Sequence, residues 1–317
     1  MMAWHLLLFA VVLASVAPRV LGRARWVYRS PKLGIAAWYA MLAGVVSAVL
    51  AATAALLVPP HPGAAAVCVA WRWCVQAARG EYGAAGQLAA ATMVLVTGAL
   101  AGRLLVSGVG FVRKQRAHRH RHLQMLRLAG RDAPELGATV VTCAEPAAYM
   151  VAGHHRRVVI TTGAVATLRD EELAAVLAHE RAHAAGRHDI LLSGVRVLRA
   201  AFPWLPLFHV AADQLGRLVE MRADEVAVAN HRPINLARAL VAMAGATSPQ
   251  VPAGALAATG GDAVARLGRL LDPPDRLSIV QRWLIGTGIA AMAAAPALTL
   301  AASWLFPSLN VCAVLPL

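Results

Sequence analysis

The segment 178–190, "AHERAHAAGRHDI", contains the side chains of this chain that are best spaced for chemistry. Residues i and i+4 share one face of a helix, so the imidazoles of His179 and His183 can bind one metal ion. Glu180 follows the first histidine, where its carboxylate can take a proton from a water molecule at the metal. The HExxH spacing indicates a zinc site with Glu180 as the catalytic base, but two histidines do not complete the coordination of zinc.

Two residues are candidates for the third ligand. Asp189 follows Gly186 in an extended HExxHxxGxxD pattern, and a turn at the glycine would let it close the site. Glu220 and Asp224, in "EMRADEVA", share a helix face. There Glu220 would complete a His₂Glu site and Asp224 would hydrogen-bond a ligand histidine. We favour Glu220, because the intervening chain suits a return on a second helix. Asp189 would then orient a ligand histidine or fix the loop after the active helix.

The simplest alternative for "EMRADEVA" is a solvated helix face. In that case the two carboxylates would pair with Arg217 and Arg222, which lie nearby in the sequence. Flanking Ala, Val and Met residues argue for partial burial instead. Imidazole and carboxylate ligands together suit zinc.

The composition is that of a membrane protein. Of the 317 residues, 59% are hydrophobic and 15% are charged, whereas soluble domains carry about 25% charged residues. The net charge of +14 is an excess that can orient a chain in a membrane rather than bind nucleic acid. The four cysteines form no CxxC pair, so we do not expect a cysteine-based zinc site.

Four apolar segments reach the length of about 20 residues that a membrane-spanning helix needs, namely 2–21, 34–58, 88–112 and 284–306. The first lacks a basic n-region and carries its positive charges after the apolar run, which favours an uncleaved helix over a signal peptide. Lys and Arg crowd the loops after the first and third spans. By the positive-inside rule, both termini face outward and residues 113–283 lie in the cytoplasm of a multi-pass plasma-membrane protein.

Two features beside the spans have simple interpretations. The run "RKQRAHRHRH" abuts the third span and no aromatic residues interleave it, so we interpret it as an anchor on anionic lipid rather than a nucleic-acid site. In the outer loop, Trp71 and Trp73 suggest a short segment on the membrane surface. Cys68 and Cys74 could form a disulfide there or stay free.

The spans divide the chain into an N-terminal membrane region, 1–112, a cytoplasmic domain, 113–283, and a last helix with a short outer tail, 284–317. Only the cytoplasmic domain is long enough for a sizeable water-soluble core. In it, "ATVVTC" (138–143) and "RRVVITT" (156–162) are β-branched and predict strands of a hairpin or a three-stranded sheet.

Helices are expected to make up the rest of the domain. Acidic residues from Asp170 onward predict the start of the active helix, and Gly186 its end. The following helical segment should break at Pro203 and Pro206, and Pro233 should start another helix.

The order of three spans, a cytoplasmic domain with paired HExxH and ExxxD motifs, the segment "FPWLPLFHV" and a fourth span resembles the BlaR/MecR family of integral-membrane metallopeptidases. That family is related to the HtpX and CAAX prenyl protease gluzincins. The resemblance covers about residues 1–306. It implies a mostly α membrane protein with four transmembrane helices and a cytoplasmic α+β gluzincin-type domain carrying a small β-sheet.

The resemblance implies His179, His183 and Glu220 as zinc ligands and Glu180 as general base and acid. It also implies Asp224 and Asp189 as supporting residues. The resemblance implies a signalling protease: members of this family respond to an extracellular β-lactam, and this leads to loss of a cytoplasmic BlaI/MecI-type repressor. The large penicillin-binding sensor domain of the β-lactam receptors is not expected here, because this chain ends about ten residues after the fourth span.

Three functions follow as hypotheses. The first is a regulatory zinc endopeptidase that cuts a BlaI/MecI-like repressor or itself, with His231 or Arg232 as candidate donors to the oxyanion. The second is an HtpX-like quality-control protease for membrane proteins. The third is a non-catalytic membrane transducer with a structural metal site, although such a site needs no base such as Glu180. The expected partners are a protein substrate and the bilayer, and a homo-oligomer is compatible with the pattern.

Overall fold

The computed structural model describes residues 2–57, 84–152, 156–245 and 253–305. The elements are, in chain order, α1 Met2–Arg23, α2 Arg25–Arg29, α3 Pro31–Leu57, α4 Ala84–Ala129, β1 Gly130–Ala133, β2 Ala138–Val141, β3 Ala148–Val151, β4 Arg157–Thr161, α5 Thr162–Thr167, α6 Asp170–Ala185, α7 His188–Ala201, α8 Pro206–Ala227, α9 Pro233–Gly245, α10 Ala253–Leu271 and α11 Ile279–Leu305. The predicted outer-loop features, Trp71, Trp73, Cys68 and Cys74, lie outside the described residues.

Within the described ranges, four helices are long and apolar enough to cross a membrane, at Trp4–Arg23, Pro31–Ala55, Ala91–Ala129 and Ile279–Ala302. These helices suggest membrane association. The third apolar helix does not end at residue 112, where the predicted span ended. It continues through the basic run to Ala129, because Arg, Lys, Gln, Leu and Met sustain a helix in water as well as in lipid.

The chain divides into two compact units. The first contains residues 1–27, 33–106 and 277–317, and therefore most of α1, α3 and α11 and the N-terminal half of α4. In this unit α1 packs on α3, where Leu6 meets Ala51 and Ala52. Gly44 of α3 lies so close to α11 that a Cβ atom there would be 3.0 Å from the carbonyl oxygen of Met292. Small residues thus let the apolar helices approach each other closely.

The second unit contains residues 28–32 and 107–276. The short segment Tyr28–Lys32, between α1 and α3, belongs to it through side-chain contacts. The Tyr28 hydroxyl donates a hydrogen bond to Oε1 of Gln214 at 2.8 Å, and Nε of Arg29 donates to the carbonyl of Asp275 at 2.9 Å. This loop is therefore fixed on the α8 side of the second unit.

The sheet of the second unit has four strands in the order β1-β2-β4-β3. The β2–β4 pair is parallel, and the β1–β2 and β4–β3 pairs are antiparallel. The predicted strands correspond to β2 and β4, but the expectation of two or three strands was too low. The sequences of β1, "GRDA", and β3, "AYMV", are too short and too poor in β-branched residues to stand out.

The core of the second unit lies between the sheet and helices α6 and α9. Val158 and Ile160 of β4 pack with Leu173 and Leu177 of α6, and Leu236 of α9 joins them. All five side chains are buried. One face of α6 is thereby committed to the core, which fixes the rotation of the helix about its axis and the direction of its remaining side chains.

Helix α6 begins and ends as its sequence predicts. Three acidic residues occupy its first turn, and the Glu172 carboxylate accepts a hydrogen bond from the backbone N–H of Arg169 at 3.1 Å. The helix ends at Gly186, whose N–H donates to the Ala182 carbonyl at 2.9 Å. Arg187 then adopts a left-handed conformation, φ 49°, which turns the chain into α7.

The next two helices form a hairpin. Helix α7 ends at Ala201 and α8 begins with Pro206 in its first turn, so the break falls at Pro203 and Pro206 as predicted. Helix α8 runs back beside both α7 and α6. This return brings the residues of "EMRADEVA" to the HExxH helix.

Candidate metal centre

Helices α6 and α8 bring three metal-ligating side chains to one point. Nε2 of His179 lies 3.0 Å from Nε2 of His183, as expected for an i, i+4 pair on one helix face. The Glu220 carboxylate oxygens lie 3.5 Å from each of these nitrogens. His179 is buried, whereas Glu220 keeps 38% of its side chain exposed. The site is therefore open on the glutamate side.

The spacing of these atoms fits a tetrahedral zinc ion. Zinc bonds to imidazole nitrogen and carboxylate oxygen at about 2.0–2.2 Å, which places tetrahedral ligand atoms about 3.3–3.5 Å apart. Two of the three separations, both 3.5 Å, lie at the upper end of that range, and the third, 3.0 Å between the histidine nitrogens, lies just below it. Catalytic zinc sites have three protein ligands and one open position, whereas structural sites have four protein ligands. The three ligands and the open side found here match the catalytic type.

Asp224 faces the other nitrogen of the first histidine. Its Oδ1 atom lies 2.9 Å from Nδ1 of His179, so the proton of the neutral ring belongs on Nδ1 and the Nε2 lone pair is free. Burial disfavours a charged imidazole here, but the contacts with Asp224 and Glu220 outweigh it and raise the pKa of His179 to about 9. Asp224 is itself 3% exposed, which explains why it needs a cationic partner.

That partner is Arg266, on α10. Its Nε and Nη2 atoms donate to the two Asp224 oxygens at 2.8 and 2.7 Å, and its Nη1 atom lies 3.2 Å from Oε2 of Glu220. This bidentate pair outweighs the burial of Asp224 and keeps the pKa of its carboxyl below the usual value. Arg266 thus positions both carboxylates of the ExxxD motif. Nothing in its sequence neighbourhood marks it for this role.

The arginines near Glu220 in the sequence pair elsewhere. Arg217 pairs with Asp262 at 2.8 Å, and Arg222 pairs with Glu225 at 3.3 Å. The alternative of a solvated face, in which these arginines would neutralise Glu220 and Asp224, therefore does not describe this helix.

The second histidine also has a partner on its outer nitrogen. Nδ1 of His183 lies 3.0 Å from Nδ1 of His188, the first residue of α7. Burial, reinforced by the charge of His183, lowers the pKa of His188 to about 4, so this ring is neutral near pH 7. Its Nδ1 lone pair can then accept the proton of His183, which directs the Nε2 lone pair of His183 toward the metal.

Gly186 makes room for this contact. A Cβ atom at position 186 would lie 2.3 Å from Nε2 of His188, closer than any real contact. The glycine of the HExxHxxG pattern therefore admits the His188 ring against the end of α6. The spacing of the sequence does not mark His188, because it lies one position before the third-ligand position of the HExxHxxG pattern.

Asp189 lies beside Arg156 rather than beside a ligand histidine. Its Oδ1 atom is 3.6 Å from Nε of Arg156, and its backbone carbonyl accepts a hydrogen bond from Ser193 within α7. His188, not Asp189, faces the ligand histidine. The other expected role of Asp189, fixing the loop after the active helix, stays a prediction.

Glu180 lies on α6 between the two histidines and is partly buried. Burial raises the pKa of its carboxyl, whereas the charges of His179 and His183 and a hydrogen bond from the backbone of Met150 lower it, and burial prevails. Met150 belongs to β3, an edge strand of the sheet. The catalytic-base candidate and a strand edge therefore face each other.

His231 and Arg232, the candidate oxyanion donors, lie between α8 and α9. Arg232 is exposed, and its carbonyl accepts a hydrogen bond from the backbone N–H of Asn235 at 3.0 Å. Among the described residues, neither side chain forms an ion pair with Glu220 or belongs to the group of His179, His183 and Glu220 that could hold a metal. Their role stays a prediction.

Replacing His188 tests its contact with His183. We expect His188→Ala to weaken zinc binding about 10–100-fold, the usual cost of losing an outer partner of a ligand histidine. His188→Asn should recover most of this loss, because its side-chain oxygen can accept the same proton. Gly186→Ala should weaken binding too, by displacing the ring. Zinc dissociation constants from chelator competition measure all three.

Gly216→Ala is the matched control, since a Cβ atom there meets nothing within 4 Å. Equal zinc affinities for the wild type and the His188→Ala variant would show that His183 needs no partner at Nδ1.

Comparison with known proteins gives one family match. Residues 113–211 match the model of Peptidase family M48. Neither the curated proteins nor the solved structures contain a significant match to the chain. The matched range includes the HExxH motif and ends before Glu220. The match supports a metallopeptidase function. Metallopeptidases of family M48 usually use a metal ion.

Proposed function

We propose that this protein is a membrane-embedded zinc endopeptidase whose active site faces the cytoplasm. In this proposal it cleaves a transcriptional repressor of the BlaI/MecI type, itself, or both, in response to a signal. The observation that carries the proposal is the convergence of His179, His183 and Glu220, with Glu180 on the same helix as the two histidines. A structural site would have no use for a partly buried carboxylate beside the ligands.

The residues of the site have distinct tasks. Zinc, when bound, lowers the pKa of water and polarises the scissile carbonyl. Glu180 takes the proton of the attacking water and later delivers it to the leaving amine. The raised pKa of Glu180 suits a group that must both accept and return a proton. Asp224 and His188 hold the two ligand histidines in the tautomer that binds metal.

We place the substrate along β3. This strand is at an edge of the sheet, and its Met150 backbone reaches Glu180. An extended peptide can add to such an edge as a further strand through main-chain hydrogen bonds. Its scissile bond would then lie beside the base.

The cytoplasmic location rests on the distribution of Lys and Arg. The loops after the first and third apolar helices carry the positive charges, which favours a cytoplasmic position for both and for the domain between the third and fourth helices. A repressor in the cytoplasm would then have direct access to the site.

Proteomics of cells that carry the wild type or Glu180→Gln tests the function. We expect one repressor-like protein to accumulate uncut in the variant, with its fragments lost. Glu171→Gln, an exposed position at the start of the same helix, is the control and should resemble the wild type. Broad stabilisation of many membrane proteins would instead establish the HtpX-like role. Identical proteomes for all three strains would exclude a peptidase and favour a transducer with a structural metal.

A further inference from the structure

The tip of the α7–α8 hairpin is a rigid turn that exposes apolar side chains. Trp204 keeps 56% of its surface exposed and Leu205 keeps 40%. The backbone N–H of Leu205 donates to the carbonyl of Phe202 at 3.1 Å, and His209 donates from Nε2 to the carbonyl of Pro203 at 2.9 Å. The turn is thus held by internal hydrogen bonds and by buried Phe202, while Trp204 and Leu205 remain largely exposed.

The tip also lacks acidic and basic side chains of Asp, Glu, Lys and Arg. No Lys, Arg, Asp or Glu occurs in Ala200–Ala212, a segment that includes the last residues of α7, the turn and the first residues of α8. At both ends of this segment stand charged residues, Arg199 and Asp213, whose side chains pair across the hairpin at 3.4 Å. The ion pair therefore marks a boundary between a charged body and an uncharged tip.

A first contact places α7 beside a membrane-spanning helix. A Cβ atom on Gly108 of α4 would lie 3.7 Å from Cγ1 of Val197, which is ordinary van der Waals contact. Gly108 belongs to the last apolar stretch of α4, just before the charges that begin at Arg113. That position is where the helix would leave the hydrocarbon region of a bilayer.

A second, independent contact places α8 at the level of the membrane surface. Gln214 accepts a hydrogen bond from Tyr28, which lies in the short loop between the first two apolar helices. A loop that connects two membrane-spanning helices lies at the membrane surface. The loop after the first span and the segment after the third span are on the same side, because the chain crosses twice between them.

The tip extends beyond both contacts. Phe202 follows Val197 by five residues, or about 8 Å along α7, and Pro206 precedes Gln214 by eight residues, or about 12 Å along α8.

Contacts with α4 give the direction of the hairpin. Asp189, at the start of α7, lies 3.6 Å from Arg156 beside β4, and β4 packs on Leu126 near the C-terminal end of α4. Val197, further along α7, meets Gly108 in the apolar part of α4. Helix α7 therefore runs back along α4 toward its apolar part, and the turn continues in that direction.

We propose that the hairpin tip, residues 202–206, inserts into the lipid bilayer on the side of the peptidase domain. Leu205 contacts acyl chains, whereas Val210 and Trp204 lie at the headgroup level, where the amphipathic indole is favoured. Arg199 remains at the surface, paired with Asp213 and close to anionic headgroups. The inference concerns a membrane-binding surface and goes beyond the proposed peptidase activity, although it shares the assumption that the apolar helices span a bilayer.

Insertion sets the height of the metal centre. Glu220 follows Gln214 by six residues on α8, about 9 Å of helix rise. The zinc ligands would then lie within one helix diameter or so of the membrane surface. Peptide segments that run along this surface would reach the site more readily than segments deep in the cytoplasm.

Site-directed spin labelling of the full-length protein in lipid nanodiscs tests the insertion. Labels go on single cysteines that replace Leu205, Val210 or Val226, in a background where Cys68, Cys74, Cys143 and Cys312 are serine. Val210 and Val226 are matched, with 38% and 39% exposure on the same helix, sixteen residues apart. Accessibility to oxygen against a water-soluble nickel complex reports the depth of each label.

We expect the label at 205 about 5–10 Å below the lipid phosphates, the depth typical of interfacial segments. The label at 210 should be shallower than that at 205, and the label at 226 should lie in water. Equal, water-like accessibility at 205 and 226 would overturn the proposal. So would a label at 205 that is shielded from both oxygen and nickel, because that result means contact with protein. Zinc binding by each labelled variant reports separately on the metal centre.

Discussion

Glu180→Gln is expected to lower the rate of peptide cleavage about 100- to 10,000-fold, the range that a positioned general acid–base contributes. Glutamine keeps the shape of the side chain but cannot accept the proton of the attacking water. The three ligand side chains do not change, so zinc should stay bound at wild-type stoichiometry. Turnover of a peptide substrate and metal content of the purified protein measure the two effects.

This variant should also fold as well as the wild type. Burial raises the pKa of Glu180, which means that the folded protein disfavours the charged form of this carboxyl. A neutral amide removes that cost. The Glu171→Gln control changes an exposed carboxylate on the same helix and should cleave normally. Full activity of the Glu180→Gln protein would remove Glu180 from the mechanism.

Glu220→Gln is expected to abolish both metal binding and activity. It exchanges a charged ligand for a neutral one at a position 3.5 Å from both histidine nitrogens. The loss of zinc affinity should exceed the roughly 10–100-fold effect of changing an outer partner such as His188. Chelator competition measures the affinity, and peptide cleavage at excess zinc shows whether added metal restores the rate.

Glu225→Gln is the control for this change. It alters a carboxylate on the same helix whose partners are Arg222 and Arg269, away from the histidines. We expect it to bind zinc like the wild type. If Glu220→Gln also retained wild-type affinity, the third ligand would have to come from another residue, and Asp189 would return as a candidate.

The candidate metal ligands are the part of this protein whose placement its sequence predicts best. The HExxH motif can be interpreted without tertiary structure, because the period of a helix alone places His179 and His183 on one face. Choosing Glu220 over Asp189 required an argument about a returning helix, which α8 supplies. The breaks at Pro203 and Pro206 were predictable for the same reason, since proline acts on its own backbone.

The residues that support the ligands were not predictable in the same way. Arg266 reaches Asp224 from a helix 42 residues further along the chain, and no spacing rule connects them. His188 is close in sequence but acts through the left-handed turn at Arg187, whose geometry depends on the packing of α7. Strand β3 has too few β-branched residues to predict, and it forms because β4 and α6 flank it.

The net charge of the side chains that α6, α8 and α10 bring together favours a divalent cation over a monovalent one. Glu180, Glu220 and Asp224 carry three negative charges into a partly buried volume, and Arg266 returns one positive charge. The remaining two negative charges are those that a divalent cation neutralises, whereas a monovalent ion would leave the site charged. Protons compete with the cation for this negative charge, and Asp224 and Glu220 raise the pKa of His179 to about 9 against the effect of burial. Uptake of the cation must therefore release a proton, and rising pH favours it.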